Sequence, residues 1–338
     1  MIGSTTGLIL ANLGAAIQPA VVKLSQLDSY DQTYIRIIIF AVSCVILTKW
    51  FKWDDSWIKA SFAPDSLAMN AVNLLSVFAG IRGFMELPVG VSLTVFYTWP
   101  IYLTIMSQWE RQKTHHELTE DNCQRLWIGI ILSFMGLFVI FGPEWWHWFQ
   151  EGPSWSATWI GFMWVSISAI THAFTIFYYH RERPHRNHAA ARLGSITLPS
   201  AVAFIAASFW NPGKWGLGHS WLGGDDDFRW QVLLLGAFQA TVGLGSFLLH
   251  FFSIPKLPKE WISSLSFLTL IAGYMFGWFF FGEKMNWRVG LGTIMVFIGI
   301  GVVSRALKGE FENYKDLNKE RDETKQYIYD KLKLIAFA

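Results

Sequence analysis

Apolar residues in this chain are grouped in ten blocks of about twenty residues, and this grouping restricts the fold more than any other feature. An α-helix rises about 1.5 Å per residue and the hydrocarbon core of a bilayer is about 30 Å thick, so about 20 apolar residues cross it once. Because backbone polar groups in hydrocarbon must bond within their own segment, each block is predicted to be a helix. With 52% hydrophobic and 15% charged residues in 338, the sequence predicts an all-α integral membrane protein with ten transmembrane helices.

The predicted spans cover residues 5–23, 31–50, 67–87, 89–109, 126–143, 158–179, 193–210, 230–252, 261–282 and 287–305. Proline interrupts helices, and five prolines are predicted to fall between the spans: Pro88, Pro143, Pro153, Pro255 and Pro258. With a cytoplasmic N-terminus, the inner loops carry twelve Lys and Arg residues and the outer loops four. The positive-inside rule therefore predicts that both termini are cytoplasmic, in the plasma membrane or an endomembrane.

Two of the spans repeat one another. The segments IGIILSFMGLFVIF at 128–141 and LGTIMVFIGIGVVS at 291–304 share the pattern G-x4-F-x-G. The shared positions are Gly129, Phe134 and Gly136 in the first segment and Gly292, Phe297 and Gly299 in the second. Because five spans per half is an odd number, the second half must enter the membrane in the opposite direction from the first. The sequence thus predicts two inverted five-helix repeats, an architecture that recurs in transporters.

On these motifs the chain resembles the drug/metabolite transporter superfamily, specifically its ten-helix members with two EamA-type domains, over about residues 5–305. The most specific part of the match is Pro258 through Ser263, the FFFGE run ending at Glu283, and then Gly292 and Gly299. In the first half Pro100, Gly129 and Gly136 fit, Arg36 looks like the arginine often found there, and either Glu110 or Glu120 stands for the family's glutamate.

The resemblance and the repeat together divide the chain into four parts. Residues 1–143 are predicted as the first EamA-like five-helix repeat, 144–157 as an outer linker, 158–305 as the second repeat and 306–338 as a charged cytoplasmic tail. The family implies alternating access, with substrate near the bilayer midplane between the halves. The predicted function is transport of a small polar or zwitterionic/anionic metabolite.

Polar side chains near the helix centres are the candidates for substrate binding. They are Gln18, Tyr97, His172, Gln239, Thr269 and Tyr274. The alternative for each is a hydrogen bond to a neighbouring helix, which stabilises membrane helix association by about 0.6–2 kcal/mol. Aligning Ala16 and Ala20 with Ala169 and Ala173 places Gln18 and His172 at nearly equivalent positions of the two repeats.

Two arginines are predicted to lie about 7 Å to the outer side of mid-depth. They are Arg36 and Arg82, and an unpaired cation there would cost about 2.5 kcal/mol or more. Glu86, four residues after Arg82, offers a pairing partner on the same helix. The alternative is that the arginines bind a substrate carboxylate or phosphate. His172 is the titratable candidate at mid-depth, either as a packing residue or in proton coupling, and facilitated flux or exchange stays open.

Other features indicate structural roles. Gly273 and Gly277 are predicted to allow close helix packing. Two polar segments are predicted to be solvated, one containing His180, His185 and His188 and the other Asp225 to Asp227. No metal-ligand spacing, phosphate loop or nucleophile–base pair appears, so we expect no catalytic residue, cofactor or metal, and not an enzyme. A net charge of +2 excludes a strongly basic nucleic-acid binder.

The expected partners are a small-molecule substrate, the lipid bilayer and, as a candidate assembly, a second copy of the chain in a homodimer. A second hypothesis is a membrane scaffold or receptor of the same fold that has lost transport and acts through its C-terminal tail. Deletion of residues 306–338 discriminates between the two hypotheses, because a carrier should survive it.

Overall fold

The structure, a computed structural model, describes residues 2–25, 27–99, 101–102, 105–106, 109, 120–151, 157–180, 188–210, 226–253, 259–284, 286–299, 301–302 and 305. Its helices are α1 Ile2–Leu24, α2 Ser29–Trp50, α3 Ser56–Ala60, α4 Pro64–Glu86, α5 Val89–Phe96, α6 Glu120–Glu151, α7 Ala157–His180, α8 Ala189–Ser195, α9 Leu198–Trp210, α10 Asp226–Phe238, α11 Leu244–Ser253, α12 Lys259–Phe281 and α13 Trp287–Gly299. A π-helical turn at Gln239–Gly243 joins α10 to α11.

The predicted membrane character is confirmed. Within the described ranges, six helical segments are long and apolar enough to cross a bilayer, in α1, α2, α4, α6, α7 and the run from α10 to α11. The bent pair α8–α9 is a seventh candidate, and Thr269–Phe281 and Trp287–Gly299 are shorter apolar helices. Ten spans, two inverted repeats and the direction of insertion stay predictions.

The predicted span 193–210 is not one continuous helix, because α8 and α9 meet there at an angle of 45°. Pro199 has no N–H for the carbonyl of Ser195, and a proline inside a helix bends it. The amide of Asn70 donates to that carbonyl at 2.8 Å, and the amide of Asn73 donates to the carbonyl of Ile196 at 2.9 Å. Side chains of α4 thus satisfy the backbone groups that the bend leaves free, as a membrane requires.

The prediction that Pro143 falls between helices is also wrong. Helix α6 continues to Glu151, eight residues into the segment predicted as a linker. A proline interrupts one hydrogen bond of a helix, and membrane helices tolerate such interruptions. Pro88 does separate two helices, since it precedes the first residue of α5, whereas Pro153, Pro255 and Pro258 lie outside the described residues.

Helices α4 and α7 pack closely through small residues. The Ser76 hydroxyl donates to the carbonyl of Ser168 at 3.1 Å, and the Ser168 hydroxyl donates to the carbonyl of Ser76 at 2.7 Å. Seven residues along α4, a Cβ at Gly83 would lie 3.0 Å from the carbonyl oxygen of Gly161. Small residues at such contacts let membrane helices approach closely.

Helices α1 and α11 repeat this arrangement. Gly7 faces Ser253, and Gly14 faces Ser246, again seven residues apart. Gly7 and Gly14 of α1 precede Gly161 and Ser168 of α7 by the same number of residues. The contact residues of α4, Ser76 and Gly83, likewise precede Ser246 and Ser253 of α11 by a common number. The spacing between α1 and α7 also pairs Gln18 with His172, one position away from the sequence alignment.

The two glycine motifs found in the sequence lie against each other. Helices α6 and α13 run antiparallel, so that Gly136 faces Gly292 and Gly129 faces Gly299. A Cβ added at Gly136 or at Gly292 would lie 2.5 Å from the carbonyl oxygen of the other. The first glycine of each motif thus meets the last glycine of the other, which is the pairing that a two-fold relation between the halves would produce.

Candidate functional site

Arg36 is the most deeply buried cation in the described part of the membrane helices. Its side chain is 8% exposed, and its guanidinium lies 5.4 Å from the ring centre of Phe40 and 4.9 Å from that of Phe247. Phe40 lies one turn further along α2, so the side chain is directed toward the middle of the helix. No carboxylate pairs with Arg36 among the described residues. Aromatic faces therefore contribute about 0.5–2 kcal/mol each to holding the cation, without neutralising it.

His172 lies within electrostatic range of a cation and a second histidine. On α7, it interacts electrostatically with Arg36 of α2 and with His250 of α11. The His172 ring also contacts the rings of Phe96 and Trp99, with centroid distances of 5.2 and 5.4 Å. Two side chains from different helices are thus placed near His172.

Two buried amides have unused hydrogen-bonding capacity. Gln18 is 5% exposed and Gln239 is 2% exposed. In the described part of the chain, the Nε2 of Gln18 and the Oε1 of Gln239 have no hydrogen-bond partner. The Gln239 amide folds over Gly243 in the π-helical turn, where a Cβ would lie 2.5 Å from its Oε1 and 3.5 Å from Phe40. Gly243 thus lies next to both the Gln239 amide and the Phe40 ring.

Tyr97 and Thr269 lie close together, and the Phe96 ring contacts both Tyr97 and His172. Both are buried, at 8% and 0% exposure, and the Tyr97 hydroxyl interacts with the Thr269 side chain. The Thr269 Oγ1 has no partner at full hydrogen-bonding geometry among the described residues. Tyr97 and Trp99 belong to one apolar cluster with Ala20 of α1 and Leu270 of α12, so this part of the site connects both halves of the chain.

Two of the predicted binding residues have their polar groups paired with other side chains of the protein. The Tyr274 hydroxyl bonds to the hydroxyls of Thr94 at 3.0 Å and Thr293 at 2.6 Å. Arg82 forms the ion pair with Glu86 that its spacing predicts, at 2.9 Å. Their roles in substrate binding stay predictions, and structural pairing is the alternative that these contacts favour.

Replacing Tyr274 with phenylalanine separates these alternatives. We expect the free energy of unfolding to fall by about 1–2 kcal/mol, because two bonds between helices are lost, with transport kcat/KM changed less than about threefold. Thermal unfolding and transport by the same preparation measure the two effects. A loss of transport without a loss of stability would instead place Tyr274 among the substrate contacts.

Several other sequence interpretations are resolved by the packing. Gly273 and Gly277 lie against Leu93 and Val89 of α5, so their reading as close packing is confirmed. His188 caps α8, accepting the N–H of Ala191 at 3.0 Å. His185, Asp225 and residues 306–338 lie outside the described residues.

Sequence reasoning missed His250 and two further residues, Lys23 and Glu283, which form an ion pair. His250 lies two residues from the end of a predicted span, so counting depth from the span centre places it at the boundary. Lys23 lies at the last position of another span, and Glu283 was recognised only as part of a family motif. No spacing pattern along the sequence predicts the contact that any of these three residues makes.

Residues 159–305 match the model of the EamA-like transporter family. This part of the chain is an EamA-like domain. The family indicates a membrane transporter of the drug/metabolite type. The EamA-like domain contains His172, Gln239, His250 and Thr269, whereas Gln18, Arg36 and Tyr97 precede it.

A solved structure shares the overall fold beyond the EamA-like domain. Fourteen chains of known structure match. One, described only as a crystal structure of a protein, has 13% sequence identity and a TM-score of 0.53, over 89% of this chain and 96% of its own length. Among curated proteins, none matches the sequence. The predicted resemblance is confirmed for the second half, and the two-domain arrangement stays a prediction.

Proposed function

We propose that this chain carries a small zwitterionic or anionic metabolite across a membrane by alternating access between two five-helix halves. The observation that carries the proposal is Arg36, a cation nine-tenths buried in a membrane helix, with aromatic rings beside it but no carboxylate paired with it in the described part of the chain. Such a charge costs about 2.5–3.5 kcal/mol at the centre of a membrane helix. A substrate carboxylate or phosphate would supply the missing counter-charge.

Two buried amides suit a substrate that also carries hydrogen-bonding groups. Among the described residues, the Gln18 Nε2 lacks an acceptor and the Gln239 Oε1 lacks a donor, so a zwitterion could satisfy both. Leaving buried polar atoms unpaired costs about 1–3 kcal/mol each, and a bound substrate would recover part of that. His172 and His250 add two imidazoles that can donate to an anion.

The repeated helix contacts support the alternating-access part of the proposal. Gly7 and Gly14 of α1 contact α11 seven residues apart, as Gly161 and Ser168 of α7 contact α4. If the two halves are related by a two-fold axis, exchanging their conformations opens the centre to the other side of the membrane.

Uptake by the purified protein in liposomes tests the proposal. A panel of amino acids, organic phosphates, nucleotide sugars and polyamines should give saturable uptake for one anionic or zwitterionic class and none for polyamines. Removing residues 306–338 should leave that uptake largely intact. Polyamine uptake alone would contradict the charge argument, and an inactive panel together with a partner lost on tail deletion would favour the scaffold hypothesis.

A further inference from the structure

Three helix ends meet at one end of the bundle, around Glu283. The carboxylate of Glu283, just after α12, accepts a hydrogen bond from Lys23 Nζ of α1 at 3.1 Å. Both of its oxygens also accept from the N–H of Val89, the first residue of α5, at 2.9 and 2.8 Å. The two charged side chains are only 18% and 19% exposed.

The local sequence of α12 directs Glu283 into this position. Gly282 has φ +61°, in the left-handed region that favours glycine, and it ends the helix by turning the chain back. Its N–H bonds to the carbonyl of Trp278 at 3.1 Å, which is the bond of an αL cap, and the N–H of Glu283 bonds to the carbonyl of Gly277 at 3.2 Å. Gly277 has no side chain, so the carboxylate of Glu283 occupies the space beside it.

The Glu283 carboxylate is held by two favourable charges that belong to the first half. One is the Lys23 ammonium, which also lies 5.4 Å from the Phe281 ring centre. The other is the N-terminus of α5, whose dipole favours an anion. Two further ion pairs, Lys49–Asp55 and Arg82–Glu86, each join residues within the first half. The Lys23–Glu283 pair instead connects residues of the two predicted halves.

We propose that Lys23 and Glu283 form a latch that closes this end of the central site. This inference rests on the proposed alternating-access function. Ala20, three residues before Lys23, is 1% exposed and belongs to the cluster containing Tyr97 and Trp99, so the latch lies next to the site. Opening this end requires α12 to move away from α1 and α5. The separated ammonium and carboxylate must then both be hydrated. The closed state therefore persists as long as the ion pair excludes water. With the predicted orientation, the latch is at the outer end.

Cysteine labelling tests the latch without knowledge of the substrate. In a background with Cys44 and Cys123 replaced by alanine, Ala20→Cys reports entry of a membrane-impermeant maleimide from the latch side of proteoliposomes. We expect both Lys23→Met and Glu283→Gln to raise its labelling rate at least tenfold. Each variant keeps an acceptor for the Val89 N–H, so the change would report the ion pair and not the helix cap.

Matched variants complete the design. Lys23→Arg keeps the cation, and Asp55→Asn breaks the exposed pair within the first half, so both should label at the wild-type rate. Unchanged labelling in both Lys23→Met and Glu283→Gln, with unfolding temperatures near wild type, would overturn the latch. Equal acceleration by Asp55→Asn would also overturn it, because the effect would then be general loosening.

A second reporter separates the latch from the proposed function. Ser253 is the last residue of α11 and lies against Gly7, near the start of α1. Ser253→Cys therefore reports entry from the side of the membrane opposite the latch. Alternating access predicts that opening the latch slows its labelling. Faster labelling of Ala20→Cys with no change at Ser253→Cys would confirm the latch and contradict alternating access.

Discussion

Replacing Arg36 with methionine is expected to abolish transport of the identified substrate while leaving the protein at least as stable as wild type. The loss in kcat/KM should be about 100-fold or more, since the variant removes the charged partner of a buried substrate anion. Stability should not fall, because no carboxylate is left unpaired and a costly buried charge is removed. Uptake and thermal unfolding of the same preparation measure the two effects.

Arg36→Lys is the matched control. It keeps the positive charge but loses the planar group that lies over Phe40 and Phe247, so transport should fall to an intermediate level. Wild-type transport by Arg36→Met would show that the substrate is not held by this cation. A large drop in unfolding temperature would show that Arg36 is structural.

Replacing Gly136 with alanine is expected to destabilise the protein by about 3 kcal/mol or more, which is large for a single methyl group. The new Cβ would lie 2.5 Å from the Gly292 carbonyl oxygen and 2.8 Å from the backbone nitrogen of Val296. Backbone atoms cannot rotate away as side chains do, so α6 and α13 would have to separate. The unfolding temperature in detergent should fall by about 4 °C or more.

Gly245→Ala is the corresponding control with the opposite expected sign. Gly245 lies in α11 with no atom within 4 Å of an added Cβ. Alanine there should be neutral or stabilising by up to about 1 kcal/mol, since glycine is the poorer helix former. Equal unfolding temperatures for the two variants would contradict the close approach of α6 and α13.

The membrane fold and the local pairs could be read from the sequence because both depend on neighbours along the chain. A block of about twenty apolar residues forms its hydrogen bonds internally, so its helical state follows from its own composition. The Arg82–Glu86 pair follows from helical spacing in the same way. Proline gave a mixed result, since Pro88 separates two helices whereas α6 continues through Pro143.

The composition of the site could be predicted only in part. His172 and Gln239 were expected near the centre and Arg36 about 7 Å to its outer side, and the structure places His172 within electrostatic range of Arg36. Tyr274 was expected there too, but its hydroxyl is occupied by Thr94 and Thr293. The depth of a residue in the membrane can be counted along its own helix. Which neighbouring helix its side chain faces cannot be deduced in this way. His250 was missed for this reason.

By itself, then, the sequence determined the helical membrane class, the family of the second half and the glycine motifs. The tertiary structure decided which polar groups meet. Lys23 and Glu283 are 260 positions apart, and their contact depends on where α1 and α12 end and on how each helix is rotated about its axis. Those rotations are set by small residues such as Gly14 of α1 and Gly273 of α12, which pack against Ser246 and Leu93 of neighbouring helices.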